Sequence, residues 1–366
     1  MYEKALALDP QYAAAYAGLG WTYFLDWGFH WSHEPQTLER AFELAQRAVV
    51  LDDSLPDAHL LLGQVYVQKN QPEQALAEVE RAIALAPNYV DSYSVLADIL
   101  NSAGRPQEAI AMAEKALRLD PRSRYTASYL YELGVGYFFT GRIEEAIATF
   151  KRTLIHDPNY QLAYTFLTSS YVTAWVWQLT QDPQVLERAF EAGQQAVALN
   201  DSFPLTHVEL GNVYLLQKRY DQALAEAERA ITLAPNLAGG YALLARILGF
   251  TGKPQEALDM AEKAVRLNPR FLFELGFAYY WAGRYEEAIA TLKQLLSRNP
   301  NLLHVQLVLA LASSEAGREE EAQAAAAEVL RLNPKFSLEV YKERAPIKDP
   351  AALERYIVAL RKAGLK

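Results

Sequence analysis

Side chains that could do chemistry are few in this sequence, and their spacing matches no catalytic or metal-binding motif. His30, His33 and Glu34 lie together, but the helical His-Glu-x-x-His spacing that presents two imidazoles to zinc is absent. The Gly-Val-Gly at 134–136 lies inside a helical pattern, whereas a phosphate-binding loop lies between a strand and a helix. Cysteine is absent, which excludes disulfides, thiolate ligands and a cysteine nucleophile. We therefore predict a protein that is not an enzyme and needs no metal or cofactor.

Charge and composition exclude further classes. The chain has 366 residues, 51% of them hydrophobic and 22% charged, which is an ordinary globular balance. With 35 basic and 44 acidic side chains the net charge is −9, so no basic surface is expected for nucleic acid. The first residues lack an apolar signal core, and no apolar run approaches the roughly 18 residues of a membrane span. We expect a soluble, cytoplasmic protein that binds neither nucleic acid nor membrane.

The elements that position these side chains form a repeat. The motif Leu-Asp/Asn-Pro occurs at residues 8–10, 119–121, 267–269 and 332–334, and variants of it fill the gaps at intervals of about 34 residues. Residues 1–10 correspond to the second helix of a truncated repeat, and residues 335–366 to a C-terminal cap. Between them we predict nine units, at residues 11–53, 54–87, 88–121, 122–158, 159–201, 202–235, 236–269, 270–300 and 301–334.

Each unit is predicted to be a helix hairpin. In the unit at 88–121, Tyr93, Leu96 and Leu100 recur at helical spacing and form one apolar face. Gly104 can adopt the left-handed conformation that ends a helix, and Pro106 suits the first turn of the next one. Small residues recur at fixed places in every unit, for example Gly134 and Ala109, which indicates close approach of paired helices.

The period, the small residues and the terminal proline together resemble the tetratricopeptide repeat across residues 1–334. This resemblance implies an all-α, right-handed superhelical solenoid of stacked hairpins. Asp349-Pro350 followed by an apolar stripe and Gly364 predicts a capping helix over the last unit.

A longer period is superimposed on the first. Residues 9–121 match residues 157–269 at a constant offset of 148, so that His59 corresponds to His207. We expect both histidines to be core residues with satisfied hydrogen bonds. Each copy carries an insertion at a hairpin turn, at 26–35 and 174–183, and both insertions are rich in tryptophan. These matched insertions predict self-association through Trp27, Trp31, Trp175 and Trp177.

The C-terminal stretch carries a narrower resemblance. Leu-Asn-Pro-Lys-Phe-Ser at 332–337, Lys-Asp-Pro at 348–350 and Leu-Arg-Lys-Ala-Gly-Leu at 360–365 are similar to the tail of tetratricopeptide arrays behind bacterial class III adenylate/guanylate cyclase domains. The insertions ending in Glu34-Pro35 and Asp182-Pro183 share this likeness. It implies that the array is the regulatory arm of an upstream cyclase domain, none of whose nucleotide- or metal-binding residues has a counterpart here.

Candidate binding residues follow from the tetratricopeptide resemblance, which implies that the first helix of each unit lines a concave groove. Only Arg246 is basic there, so the carboxylate clamp of some tetratricopeptide domains is not expected. We predict an apolar, aromatic groove for a peptide or partner helix, and the alternative is that the aromatics pack against adjacent helices, the insertions or a second chain. The candidate residues are Trp21, Phe24, Leu60, Gln64, Asp98, Tyr131, Phe138, Phe139, Asn212, Arg246, Phe250, Phe273, Phe277, Tyr280 and Trp281.

Three functions therefore stay open at the level of the sequence. The first is a protein-interaction scaffold that binds a peptide or partner segment. The second is a regulatory or sensory arm of a nucleotide cyclase or another upstream domain. The third is a receptor for a small ligand held between the helices.

Overall fold

The computed structural model describes residues 1–28, 36–180 and 182–366 of the chain. Throughout these residues the regular structure is helical, so the all-α prediction is confirmed. The histidine pair and Trp31 of the first insertion lie outside the described residues, and so do the expectations attached to them.

The chain divides into two compact units, unit 1 at Met1–Pro158 and unit 2 at Asn159–Lys366. The division falls where the sequence predicts the boundary between the fourth and fifth repeats. Unit 1 contains α1 Tyr2–Leu8, α2 Ala13–Gly28, α3 Thr37–Leu51, α4 Pro56–Gln68, α5 Pro72–Leu85, α6 Val90–Ser102, α7 Pro106–Leu119, α8 Thr126–Phe139 and α9 Ile143–His156. Unit 2 contains α10 Gln161–Val176, α11 Val185–Leu199, α12 Pro204–Leu216, α13 Tyr220–Leu233, α14 Ala238–Phe250, α15 Pro254–Leu267, a 3-10 turn at Pro269–Phe271, α16 Leu272–Trp281, α17 Tyr285–Leu296, α18 Leu303–Glu315, α19 Glu319–Leu332, α20 Leu338–Arg344 and α21 Pro350–Lys362.

Consecutive helices pair as hairpins, α2 with α3, α4 with α5, and so on to α18 with α19. The turn chemistry explains where the first helix of each pair ends. Gly104 has φ of 75°, and the N–H of Arg105 then donates to the carbonyl of Leu100 at 2.8 Å. Pro106 begins α7, where its missing N–H costs no helical hydrogen bond. Asn70 takes the same left-handed conformation, with φ of 55°, at the corresponding turn between α4 and α5.

Small residues mark the places where paired helices approach most closely. A Cβ added to Gly134 in α8 would lie 2.6 Å from the ring of Phe150 in α9, and Phe150 is fully buried. Ala75 and Ala109 on the second helices are also fully buried. The packing role predicted for these positions is confirmed, because a larger side chain would push the helices apart.

The two matched histidines join the helices of their hairpins. His59 Nδ1 lies 2.6 Å from Glu78 Oε2, and its Nε2 lies 3.0 Å from the carbonyl oxygen of Asp53. His207 repeats both contacts, with Glu226 at 2.6 Å. Both histidines are buried with their ring nitrogens bonded, as expected of core residues.

The C-terminal segment, residues 335–366, contains the predicted capping helix and one helix that the sequence did not reveal. Asp349 caps α21, because its carboxylate accepts from the backbone N–H groups of Ala351 and Ala352 at 3.2 and 3.1 Å. α21 packs on α18. The short α20 precedes it, and Leu338 at its start donates its N–H to the carbonyl of Lys366 at 2.7 Å.

Candidate functional site

In unit 2, the first helices of five successive hairpins surround a common space. We call the surface formed by α10, α12, α14, α16 and α18 the first-helix face of unit 2. It lines a partly open cavity of about 120 Å³, and the C-terminal segment lines the other side of that cavity. The cavity is lined by Val172, Trp175, Val176, Trp177, Asn212, Leu215, Leu216, Arg246, Phe250, Phe273, Phe277, Leu307, Val308, Tyr341, Arg344, Ala345, Pro346 and Tyr356.

Paired hydrogen bonds hold the start of the C-terminal segment to the end of α10. The amide of Gln178 donates to the carbonyl of Ser337 and accepts from its N–H, both at 2.9 Å. Asn333, just before the segment, donates from Nδ2 to the carbonyl of Trp177 at 2.7 Å. Because the backbone of residue 337 is bonded on both sides, the segment has a fixed register on this face.

Further along, the segment is held by a cation and by its backbone. The guanidinium of Arg344 lies 3.8 Å from the centroid of the Trp175 ring, and its Nη1 donates to the carbonyl of Trp175 at 2.5 Å. The N–H of Lys348 donates to the carbonyl of Phe250 at 2.9 Å. The second tryptophan-rich insertion and α14 therefore both bind the C-terminal segment.

The aromatic candidates of unit 2 form one cluster with that segment. Phe273 stacks on Phe277 with centroids 5.9 Å apart, and Trp281 stacks on Tyr356 of α21 at the same separation. Phe250 contacts Phe277 edge to face at 5.4 Å, and Tyr280 contacts Tyr356 at 5.8 Å. The structure thus brings together all five aromatic residues that the sequence proposed here, and covers them with the chain's own C-terminal segment.

Polar groups are buried among these aromatics. Arg246 Nε lies 3.8 Å from Glu274 Oε1. Burial raises the pKa of Glu274 and of Glu209, and the charge of Arg246 opposes both shifts. Burial, with the repulsion from Arg246, lowers the pKa of His304 to about 4.

Three of the polar atoms around the cavity are buried without a hydrogen-bond partner in the described part of the chain. They are Nε1 of Trp175, Oδ1 of Asn212 and Nε of Arg246. Two are donors and one is an acceptor.

The corresponding surface of unit 1 is formed by α2, α4, α6 and α8, and we call it the first-helix face of unit 1. Trp21 meets Phe24 edge to face at 5.7 Å, while Phe24 is buried and Trp21 is half-buried. Phe138 meets Phe139 at 5.5 Å, and Phe139 is 52% exposed. Of the remaining candidates, Leu60 is buried in the core, Gln64 is half-buried, and Tyr131 contacts Phe150 at 6.2 Å.

Two acids from neighbouring helices lie together on this face. Glu132 of α8 is only 9% exposed, and the Nδ2 of Asn101 donates to its Oε2 and to its carbonyl oxygen, both at 3.1 Å. Burial, then the charge of Asp98 on α6, raises the pKa of Glu132. Burial raises the pKa of Asp98 to about 6. The acid pair therefore combines Asp98, which the sequence proposed, with Glu132, which it did not.

Alignment of the two copies of the sequence is the observation from which Glu132 could have been predicted as a site residue. Tyr-Glu-Leu-Gly at 131–134 matches Phe-Glu-Leu-Gly at 273–276, so Glu132 corresponds to Glu274. The offset of 148 places Asp98 opposite Arg246 and Trp27 opposite Trp175. Where unit 2 has an arginine beside its buried glutamate, unit 1 has a second acid.

Family comparison identifies the class of protein. Models of the tetratricopeptide repeat match residues 60–124, 100–169, 203–270, 251–311 and 282–342, which together make up more than half of the chain. The chain belongs to the tetratricopeptide repeat family. Together with the stacked hairpins and the capping helix, this confirms the predicted repeat fold.

One curated relative and two solved structures illustrate the range of similar proteins. The "TPR repeat-containing protein YpiA" of Bacillus subtilis (strain 168) is 25% identical over 194 residues, which are 52% of this chain and 44% of that protein. The matched part thus spans less than half of that relative. The APC/C hetero-tetramer Cut9-Hcn1 aligns with a TM-score of 0.60 at 16% identity, covering 94% of this chain and 71% of that one. The human IFIT1 dimer with m7Gppp-AAAA aligns with a TM-score of 0.59 at 16% identity, covering 87% and 71%.

Membrane spans and metal sites are absent from the described residues. No helix there is both long and apolar enough to cross a membrane. Nor do three or more histidine, aspartate or glutamate side chains come together there as a metal site.

Proposed function

We propose that this protein is a non-enzymatic interaction scaffold that binds a partner segment on the first-helix face of unit 1. One observation carries the proposal. The same face of unit 2, built from the duplicated sequence, is covered by a segment of the chain that is not part of any hairpin. A surface of this design therefore binds an added segment through aromatic contacts and backbone hydrogen bonds.

The candidate residues divide between two roles in this proposal. In unit 2, Asn212, Arg246, Phe250, Phe273, Phe277, Tyr280 and Trp281 surround the cavity or support the C-terminal segment. In unit 1, the residues proposed to contact the partner are Trp21, Gln64, Asp98, Tyr131, Phe138 and Phe139, whereas the buried Phe24 and Leu60 support them from the core. Phe139 is the best anchor among them, since half of a large aromatic side chain is open to a partner.

Selection of displayed random 12-residue peptides on the whole chain tests the proposal. Peptides that bind should lose most of their affinity when Phe138 and Phe139 are changed to serine, as measured by isothermal titration. Ile155→Ser is the matched control, because Ile155 is 78% exposed on the second helix α9. Peptides that bind equally to all three proteins would contradict the proposal.

A second candidate function, a receptor for a small ligand, is favoured by the cavity of unit 2. Its aromatic walls and three unpartnered polar atoms suit a planar molecule that accepts from Trp175 and Arg246 and donates to Asn212. The cavity of about 120 Å³ is smaller than the apolar cavity of about 150 Å³ that holds benzene, so the ligand it suits is a small fragment. A fragment screen by thermal shift tests this candidate, with Asn212→Leu as the variant that should abolish hits.

The regulatory arm of a nucleotide cyclase is a third proposal, and it rests on the resemblance of the C-terminal residues. Two of the stretches, 348–350 and 360–365, lie at the start and the end of α21, which packs on α18 of unit 2. The sequence of the gene upstream tests it directly, because a cyclase domain would be visible there.

Self-association through the tryptophan-rich insertions stays a prediction, and so does a cytoplasmic location. Trp175 contacts Arg344 and Trp27 contacts the Phe24 ring, and both tryptophans are half-buried. Light scattering of a Trp27→Ser variant tests the association. The IFIT1 structure contains a capped RNA, but the net charge of −9 argues against nucleic acid as a partner of this chain.

A further inference from the structure

The first-helix faces of the two units differ most clearly in whether the chain places a cation beside the buried glutamate. In unit 2 the chain supplies a cation beside the buried glutamate, because Arg246 Nε lies 3.8 Å from Glu274 Oε1. In unit 1 the aligned residue is Asp98, and Glu132 corresponds to Glu274. The ion pairs that the structure describes in unit 1 all involve other carboxylates. Unit 1 therefore has the same glutamate, but an acid at the position where unit 2 has the cation.

A third acceptor lies beside the two acids. Asn101 is only 4% exposed, and its Nδ2 donates to Glu132, whereas its Oδ1 is buried and accepts from no donor among the residues that the structure describes. A buried acceptor that lacks a donor costs free energy until one arrives. The site thus offers two carboxylates and an amide oxygen on neighbouring helices, all of which accept hydrogen bonds.

These acceptors select the chemistry of the group that completes the site. A guanidinium has five N–H donors and no acceptor, and it is more weakly hydrated than an ammonium, so it suits a partly buried acidic site better than lysine does. A metal ion is less suitable, because the described residues place fewer than three acidic or histidine ligands here.

We propose that the partner segment of unit 1 carries an arginine whose guanidinium binds between Asp98, Glu132 and Asn101, in the place that Arg246 fills in unit 2. This inference rests on the proposed function and adds to it the chemistry of the partner. The partner is a peptide segment with one arginine that becomes buried, and its apolar side chains contact Trp21 and Phe139 on the surrounding face.

The 12-residue peptides selected on the whole chain provide the probe. In each binding peptide, every arginine is replaced in turn by citrulline, which has nearly the same shape but no charge. We expect one arginine per peptide whose replacement weakens binding at least tenfold. We expect the same loss when the native peptide is titrated into Asp98→Arg or Glu132→Gln. Glu73→Gln is the matched control, because Glu73 is exposed on the second helix α5, and it should bind within twofold of the parent.

Asp98→Arg is the more informative variant, since it reproduces the Arg246–Glu274 pair and fills the site from within. It should fold, as judged by circular dichroism. If it does not, the near-isosteric Glu132→Gln decides the question.

The outcomes separate this inference from the proposed function. Peptides that depend on Phe138 and Phe139 but bind Glu132→Gln within twofold of the parent would overturn the arginine site and leave the scaffold in place. Peptides that keep their affinity when each arginine in turn is replaced by citrulline would also overturn the arginine site and leave the scaffold in place. If no selected peptide depends on Phe138 and Phe139, both proposals fail.

Discussion

The acid pair of unit 1, Asp98 and Glu132, makes the stability of that unit depend on pH. The pKa of Asp98 is raised from 3.8 to about 6, so the folded state holds this proton more tightly than the unfolded state does. The resulting stabilisation is complete below pH 3.8 and is lost as the pH rises through about 6. Glu132, whose pKa is raised by burial and by Asp98, adds a contribution of the same sign.

Asp98→Asn is therefore expected to stabilise the protein at pH 7.5 and to change little at pH 4. A pKa change of one unit corresponds to about 1.4 kcal/mol, so a gain of about 1 to 3 kcal/mol is expected at the higher pH. Urea denaturation at both pH values measures it, with Glu73→Gln as control. An equal effect of Asp98→Asn at both pH values would show that the buried charge is not the cause.

The glycines at helix contacts give a second prediction at this scale. Gly134→Ala should destabilise the protein by about 1 to 3 kcal/mol, because the new methyl group would lie 2.6 Å from the buried ring of Phe150. Gly239→Ala should be neutral or stabilising by up to about 1 kcal/mol, since its nearest neighbour would be 3.7 Å away. Thermal unfolding of the two variants compares them, and similar effects would argue against the steric explanation.

Residues that act through local sterics could be predicted from the sequence. Gly104 and Gly134 are examples, because a turn or a close contact accepts only small residues at those places. Glu132 could not be predicted from its own helix, since a glutamate among aromatics gives no sign of which side it faces. Only the contact with Asn101 and the match with Glu274 show its role.

Among the elements, the hairpins were predictable because their caps and turns are encoded locally. The helix α20 was not, for it has only seven residues and helices of that length are unstable alone. Of its apolar residues, Leu338 is buried and Tyr341 is half-buried, and Tyr341 stacks on Tyr356 of α21. Periodicity predicts which neighbouring repeats touch, and it does not predict that a segment crosses several of them.

The attachment of α20 is expected to weaken when Arg344 is changed to alanine. This change removes the contact with the Trp175 ring and the hydrogen bond to its carbonyl, together worth about 1 to 3 kcal/mol. Amide hydrogen exchange at residues 338–344 should become faster. Arg298→Ala, at an exposed position in the turn after α17, should leave that exchange unchanged. Unaltered exchange in Arg344→Ala would show that the Gln178 and Phe250 contacts are sufficient.

At the scale of the whole molecule, each of the two units has hydrophobic clusters of its own, for example the one from Leu60 to Leu133 in unit 1 and the one from Phe277 to Leu365 in unit 2. Repeat arrays are stabilised by contacts between neighbouring repeats, and each unit contains several successive repeats that supply such contacts. The fragments 1–158 and 159–366 should therefore each fold, as judged by circular dichroism and cooperative urea unfolding. Asp98→Asn should change the midpoint of urea unfolding of fragment 1–158, which contains this residue. A fragment without a cooperative transition would contradict this division.

The C-terminal segment and the face that it covers belong to one chain, and this covalent connection affects the competition for that face. A tethered segment is present at an effective concentration that reaches the millimolar range and does not fall when the protein is diluted. A free molecule that competes for unit 2 must overcome this concentration, whereas one that binds unit 1 competes only with water. At the low concentrations of a cell, partners in trans should therefore saturate unit 1 while unit 2 still holds its own chain.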